Sequence, residues 1–398
     1  MNDSVLRASP DTVTTARLGV LQVGMHERES GGGVDRFFWD LFDELGRFPD
    51  LASSAFFFQH RSGAIQERPS EFCLGTTSLS GSRRLWRLRR TVLRELAGKT
   101  ATGPVLVVSH FALFASALLP QLWRLKHVVH FHGPWAIESA IEGKNRLNVA
   151  LKQGVERAVY STAGAFITLS YAFRNLLIQE YRVDPQLVHV IPPGVDLKRF
   201  TLGNREQARE LLGWPQDATI LICVRRLARR MGLETLIEAF RAVSHIHPQA
   251  LLFLGGTGAL RDELAARIES YGLSKRVRLL GFIPDDRLGA AYQAADLSIV
   301  PSQSLEGFGL STLESLACGT PVIVTPVGGL PESVSGIAAQ LVLSDRSATA
   351  LSEGLDSYFR GKLLVPSPEQ CRRHVETNFN WQKAASATRA VYLRVANA

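Results

Sequence analysis

Two doubly wound α/β domains are the architecture this sequence predicts, and three observations predict it. Short apolar runs bounded by glycine alternate with amphipathic stretches along nearly the whole chain, the pattern of βαβ units that build parallel sheets. The alternation runs through twice, divided near Ile191-Pro-Pro-Gly194, a stiff turn suited to a hinge. A length of 398 residues is long for one domain and comfortable for two. The boundaries expected are a polar tail at 1–16, domains at 17–195 and 196–377, and a closing helical segment at 378–398.

In the first half, Arg17 to Val23 is a strand, and after Gly31-Gly32-Gly33 comes a helix with Phe37, Phe38, Leu41, Phe42 and Leu45 on one side. A glycine triplet between strand and helix lets backbone amides approach an anion closely. It lacks Gly-x-Gly-x-x-Gly spacing, so a dinucleotide fingerprint is unsupported. Ser53 to Phe58 is a second strand. From Gly81 to Ala97, Leu85, Leu88, Val92 and Leu96 form a stripe at helical spacing, with Trp86 and six arginines around it. The favoured reading is a surface helix docked on its own domain. The alternative is peripheral contact of 83–96 with an anionic membrane. Nucleic acid is not expected, because no reading motif accompanies the charge.

Pro104 to Ser109 and Lys126 to His132 are further strands, with a helix at Leu113 to Leu125 between them. His130 and His132 alternate to one face, but no nearby Asp, Glu or Cys completes a metal site, so core or strand-end histidines are the ordinary reading. Glu138 to Thr162 reads as one long helix, and Ala165 to Ser170 and Leu187 to Pro192 as the last strands of this half.

The second half begins with a strand at Thr219 to Val224, then Arg225-Arg226-Leu-Ala-Arg-Arg230-Met231-Gly232 and a helix to about His245. Ala250 to Leu254 leads into Gly255-Gly256-Thr-Gly258. Val277 to Leu280 leads into Gly281-Phe282-Ile283-Pro284, after which Asp285-Asp286 reads as a helix cap and first-turn charge. Asp296 to Pro301 is a buried strand. Glu306-Gly307-Phe308-Gly309-Leu310 comes next, with a helix to about Ala317 and a strand at Val322 to Thr325. Asn378 to Asn397 is the final helix. Glycines at the carboxyl end of a strand mark where open α/β sheets bind ligands. Glu306 and Glu314 bracket this loop, eight residues apart. Carboxylates suit a sugar, since each accepts hydroxyls, whereas phosphates go to helix amino ends and arginines. Ser311-x-x-Glu314 also fits a capping box, a purely structural role; Glu306 has no capping register.

Glu-x7-Glu enclosing Gly-Phe-Gly, then Ala317-x-Gly319-x-Pro321-Val322, resembles the donor-binding motif of family 4 retaining glycosyltransferases, which have the GT-B fold of two Rossmann-like domains facing a central cleft. The resemblance spreads over most of the chain. It implies an N-terminal acceptor-binding domain and a C-terminal nucleotide-sugar-binding domain, with a last helix crossing back to brace the first. It makes His132, Glu306, Arg226 and Arg230 the candidate catalytic residues. Gly31, Gly32 and Gly33 would lie against the donor diphosphate. Gly281, Phe282 and Ile283 would read the base, and Glu306, Gly307, Phe308, Gly309, Leu310 and Glu314 would hold sugar and ribose. Two departures stand out: Arg225 occupies the family's glycine, and Met231 stands where its lysine belongs, leaving Arg230, one residue early, as the substitute.

The activity this resemblance implies is hexosyl transfer, with retention, from a nucleotide-diphosphate sugar to a hydroxyl of a glycan, lipid-linked saccharide or small-molecule glycoside. No two aspartates are spaced i, i+2, so neither metal nor other cofactor is expected. Another GT-B enzyme acting on nucleotide sugars, epimerase- or hydrolase-like, stays open, as does a non-catalytic sugar-nucleotide-binding protein. An oxidoreductase would need the missing fingerprint. Hydrophobic content of 45% and charged content of 21% are those of an ordinary globular protein. Absence of a long apolar run, a polar start and four scattered cysteines give the expectation of a cytoplasmic protein, peripheral at the membrane's inner face in the alternative reading of 83–96. The formal charge of +8 favours anionic partners.

Overall fold

A computed structural model describes residues 17–28, 32–60, 68–101 and 103–398. The tail expected at 1–16 and Gly31, one of the three glycines expected at the diphosphate, lie outside these residues. In the first half, β1 (Leu18–His26), β2 (Leu51–Gln59), β3 (Glu71–Thr76), β4 (Val105–Ser109), β5 (Lys126–Phe131), β6 (Ala165–Thr168) and β7 (Val188–Val190) form one sheet, ordered β3-β2-β1-β4-β5-β6-β7. In the second, β8 (Thr219–Val224), β9 (Ala250–Gly255), β10 (Val277–Gly281), β11 (Leu297–Val300) and β12 (Val322–Val324) are ordered β10-β9-β8-β11-β12. Every pairing between these strands is parallel. Helices cover both faces, which is why β4 and β11 are apolar runs buried throughout, without in–out alternation. Strand order reverses between β1 and β4 and again between β8 and β11, so each sheet opens a crevice there, outside its carboxyl ends.

Three elements differ from the sequence reading. Edge strand β3 is absent from that reading, because Glu71–Thr76 is only partly buried and carries no apolar run. The long helix expected at Glu138 to Thr162 is two helices, Trp135–Ile141 and Arg146–Tyr160. Gly143 breaks them with φ +77°, and Asn145 caps the second by accepting from the Asn148 amide at 2.8 Å. The stretch at Leu113 to Leu125 is three short turns, Ala112–Ala115, Ser116–Leu118 and Leu119–Leu122. Pro120 lies near the start of the third, where its missing amide costs no helical bond.

The arginine-rich helix spans Gly81–Thr100 and docks on its own half through buried Leu88 and Val92. Its cations are partly committed there: Arg89 donates to the Ala117 carbonyl at 2.8 Å and to Gln121 Oε1 at 2.9 Å. Trp86 remains 58% exposed, with Arg90 over its ring. No helix of the described residues is long and apolar enough to cross a membrane. The last helix, Trp381–Asn397, lies against the first sheet: fully buried Tyr392 meets His130 Nε2 at 2.8 Å. Arg389 grips both oxygens of Asp50, and Trp381 packs on Phe37. Gly194 is demanded by this docking, since a Cβ there would fall 2.4 Å from the Trp381 amide nitrogen.

Candidate active site

A cleft of about 660 Å³ lies where the carboxyl ends of β1, β8 and β11 face one another. Gly32, Gly33, His132, Arg226, Arg230, Phe282, Ile283, Glu306 to Leu310 and Glu314 all line it. Gly281 does not; at the end of β10 it turns the chain with φ +71°, and Phe282 and Ile283 beyond it reach the wall.

Its floor begins where β8 ends. The Arg225 amide donates to the Gly255 carbonyl and the Leu227 amide to the Thr257 carbonyl, each at 2.8 Å. The glycine turn after β9 thus presses on the Arg225 backbone: at Gly256 (φ +129°) a Cβ would sit 1.8 Å from the Arg225 carbonyl oxygen. So pinned, Arg225 donates through Nη2 to Glu306 Oε2, which also accepts from Ser302 Oγ at 3.0 Å. The two side chains are 6% and 12% exposed. Burial pushes the Glu306 carboxyl upward, but Arg225, and beyond it Arg230, hold it below the ordinary range. The residue standing in place of the family's glycine is therefore the direct partner of the candidate sugar-binding carboxylate.

Arg230 reaches across the cleft. Its Nη1 donates to the Leu305 carbonyl at 3.0 Å, and Nη2 lies 3.2 Å from Glu138 Oε1 in the other half. Met231 is buried and lines the wall beside it. Arg226 lines the same cleft and makes no hydrogen bond or ion pair through its side chain among the described residues. Two cationic heads thus flank the space facing Glu306, one tethered and one free.

Glu314 is differently placed. The helix Leu310–Ala317 starts at Gly309 with φ +84° and has no side-chain cap, so the capping box expected from Ser311-x-x-Glu314 does not form. Instead Arg36 Nη1 donates to Oε1, and the Tyr292 hydroxyl donates to Oε2 at 3.1 Å. Arg36, from the first helix Gly33–Leu45, also reaches Asp285 Oδ1 at 3.2 Å. The cap expected of Asp285 does not form either: the helix Asp285–Gln293 has no side-chain cap, and Asp285 pairs with Arg36 and Arg199.

His132 closes the other wall. Its Nε2 lies 3.0 Å from His110 Nδ1, and its ring meets Phe37 edge-on. His110 in turn stacks on His130 with ring centroids 4.5 Å apart. Burial pushes His132 down to about 4, with Asp35 pulling weakly the other way, so the ring is neutral near pH 7. Among the described residues no group of three or more His, Cys, Asp or Glu could hold a metal ion.

Two family models match the chain: Glycosyltransferase Family 4 over residues 31–199 and Glycosyl transferases group 1 over residues 204–378. A D-inositol 3-phosphate glycosyltransferase of Corynebacterium jeikeium (strain K411) is 31% identical over 302 residues, covering 72% of this chain and 71% of that protein. The chain belongs to glycosyltransferase family 4. Solved structures agree on the GT-B fold of this glycosyltransferase. Sucrose-phosphate synthase from Thermosynechococcus elongatus superposes with a TM-score of 0.79 at 24% identity, over 95% of this chain and 99% of that one. Anabaena HepE in complex with UDP-glucose gives 0.73 at 19% identity, over 94% and 99%. Within the transferase cleft, sequence reasoning missed Arg36, Tyr292, Glu138 and His110 as partners of the named residues. Nothing local marks them, since each meets its partner across at least 22 positions of chain. Arg225 was visible only as an oddity.

Proposed function

We propose that this glycosyltransferase moves a hexosyl group from a nucleotide-diphosphate sugar to an acceptor hydroxyl, with retention and without a metal ion. The observation that carries the proposal is the pairing of opposite chemistries across one cleft: Arg226 free and Arg230 beside it, facing Glu306. The donor diphosphate would lie on the arginines and the Gly32-Gly33 backbone, the sugar on Glu306 and the base against Phe282 and Ile283. As the sugar–phosphate bond breaks toward an oxocarbenium-like state, charge grows on the leaving diphosphate. A charge-assisted hydrogen bond contributes about 1.5–3 kcal/mol, and a helix end about 0.3–1 kcal/mol, so the arginines dominate. They supply the positive charge that a metal would otherwise bring. His132, neutral, can donate or accept one hydrogen bond to the sugar. The leaving phosphate itself would take the acceptor proton, as the family resemblance implies.

The acceptor hydroxyl, of a glycan, lipid-linked saccharide or small glycoside, would enter from the side recess of about 180 Å³ that shares His132, Glu138, Arg226 and Arg230 with the main cleft. The matched relative's acceptor, D-inositol 3-phosphate, is of suitable chemistry. Exposed Trp86 among arginines would give a lipid-linked acceptor a weak membrane foothold, and cosedimentation with anionic vesicles at low salt tests it.

Thermal shift with UDP-, GDP- and ADP-sugars tests the donor. A ligand at 100 times its Kd adds about 2.7 kcal/mol; no shift with any of them overturns the reading. Transfer should survive excess EDTA, and abolition with rescue by manganese would overturn metal independence.

A further inference from the structure

Arg225 and Glu306 meet through one arm of each. Nη2 contacts Oε2, whereas a fork-to-fork pair would also join Nη1 to Oε1. Nη1 is instead buried without an acceptor among the described residues. Oε1 receives no hydrogen bond from the described residues, and Ser302 adds its bond to the same Oε2. A buried guanidinium nitrogen left unpaired costs free energy unless a further partner arrives. Both residues line the cleft. The backbone of Arg225 cannot drift, because the turn at Gly256 holds its carbonyl and Gly255 its amide.

We propose that Arg225 and Glu306 form one half-open recognition unit whose unpaired arms take a hydroxyl of the donor sugar, which makes Arg225 a specificity-determining residue. A hydroxyl is both donor and acceptor, so one such group can give its proton to Glu306 Oε1 and accept from Arg225 Nη1. A sugar carboxylate would suit Nη1 but be repelled by Oε1, so the unit selects a neutral hydroxylated sugar over a uronic acid. Arg225 also fixes the rotamer of Glu306 by holding Oε2, which leaves only Oε1 to present. This inference rests on the reading of Glu306 as the sugar-binding carboxylate.

The test is calorimetric titration of the wild-type enzyme, Arg225→Met and Arg225→Lys. Probes are UDP-glucose, GDP-mannose and ADP-glucose, each against its bare nucleoside diphosphate. The quantity read is the ratio of sugar-nucleotide Kd to diphosphate Kd. Arg225→Met should leave diphosphate binding intact, which also reports a folded site, and raise the ratio about tenfold or more. Arg225→Lys should restore part of the loss by returning charge through a single point. An unchanged ratio in Arg225→Met overturns the inference while leaving the donor site standing. Should Arg225→Met lose diphosphate affinity in the same proportion, Arg225 is a scaffold of the floor and the inference also falls. If no probe binds the wild-type enzyme, the donor reading fails first and this inference with it.

Discussion

Glu306 and Glu314 stand at the two ends of one loop–helix, share a residue type, and are eight positions apart, yet the fold gives them opposite situations. Glu306 is paired within its own half by Arg225 and keeps one oxygen open to the cleft. Glu314 has both oxygens engaged, and one of its partners, Arg36, comes from the other half of the molecule. A carboxylate with an open oxygen is equipped to read a ligand; one clasped on both sides is equipped first to hold two bodies together. Position in a motif does not assign the role. Partners do.

The largest expected effect is at Glu306. Glu306→Gln keeps the shape but removes the charge that draws sugar hydroxyls and balances Arg225. Transfer should fall roughly a hundredfold in kcat/KM. The sequence alone suggests an unchanged melting temperature, because a loop glutamate has no evident structural duty. The buried pair with Arg225 revises that: unfolding measurements should show a loss of about 1–3 kcal/mol, since a buried guanidinium is left without its counter-charge. Full activity in this variant would remove Glu306 from the site and dissolve the contrast with Glu314.

Next comes Arg230→Ala, expected to lower kcat/KM about tenfold to a hundredfold by removing a charge-assisted contact to the leaving diphosphate. The tether to Glu138 sharpens this. If Arg230 serves only to bridge the halves, Glu138→Gln should reproduce the whole loss; if it also meets the diphosphate, Glu138→Gln should cost much less.

A smaller effect is expected at the other end of the helix. Arg36→Ala, Glu314→Gln and the double variant form a cycle. As a clasp, the pair predicts that each single variant lowers the melting temperature, with donor affinity changed by less than about tenfold. The double variant should then be little worse than either single. Strict additivity would mean that Glu314 and Arg36 act separately, and that Glu314 belongs with Glu306 after all.

Distance along the chain decides how much of this is legible in the sequence. The strand, glycine loop and helix around Glu306 to Ala317 can be read because their signals are local: an apolar run, φ-permissive glycines and a helical stripe. The doubled α/β pattern predicts the two sheets for the same reason. Meetings between distant segments cannot be read this way. Arg225 reaches Glu306 across 81 positions and Arg36 reaches Glu314 across 278. Which way an arginine points at such a range is set by sheet register and helix rotation, not by its neighbours in sequence. The same limit hides β3, whose edge position leaves it without an apolar run, and the break at Gly143, where one glycine outweighs a continuing amphipathic pattern.

The smallest effect is one of pH, and it tests the Glu314 end from a neighbouring group. Asp40 lies one helical turn beyond Arg36. Burial and then Asp196 push its carboxyl up to about 7, while Arg36 and Arg199 pull it back. Its unfolded value is about 3.9, so between about pH 4 and 7 the folded chain keeps a proton that the unfolded chain loses. Asp40 therefore favours folding in acid, and that contribution disappears as pH rises through 7. The buried histidines oppose it. His132, pushed down to about 4, with His110 and His130 also held well below their ordinary value, refuses protons that the unfolded chain accepts below about 6.5. Their contribution is full above that value and fades toward pH 4. His127, pushed down to about 3 by burial, acts in the same sense, as do His189 and His374, while Glu156, raised by burial, sides with Asp40. The histidines outnumber the two carboxyls and leave stability falling as the solution is acidified. Replacing Asp40 by Asn removes one opposing group, so the slope should steepen. The variant should match the wild type near pH 4 and melt higher by pH 7.5, where the charged carboxylate no longer burdens the helix that carries Arg36. Melting curves across that range decide it: a constant difference between the two proteins would mean that Asp40 titrates as an ordinary surface acid and that the clasp is insulated from it.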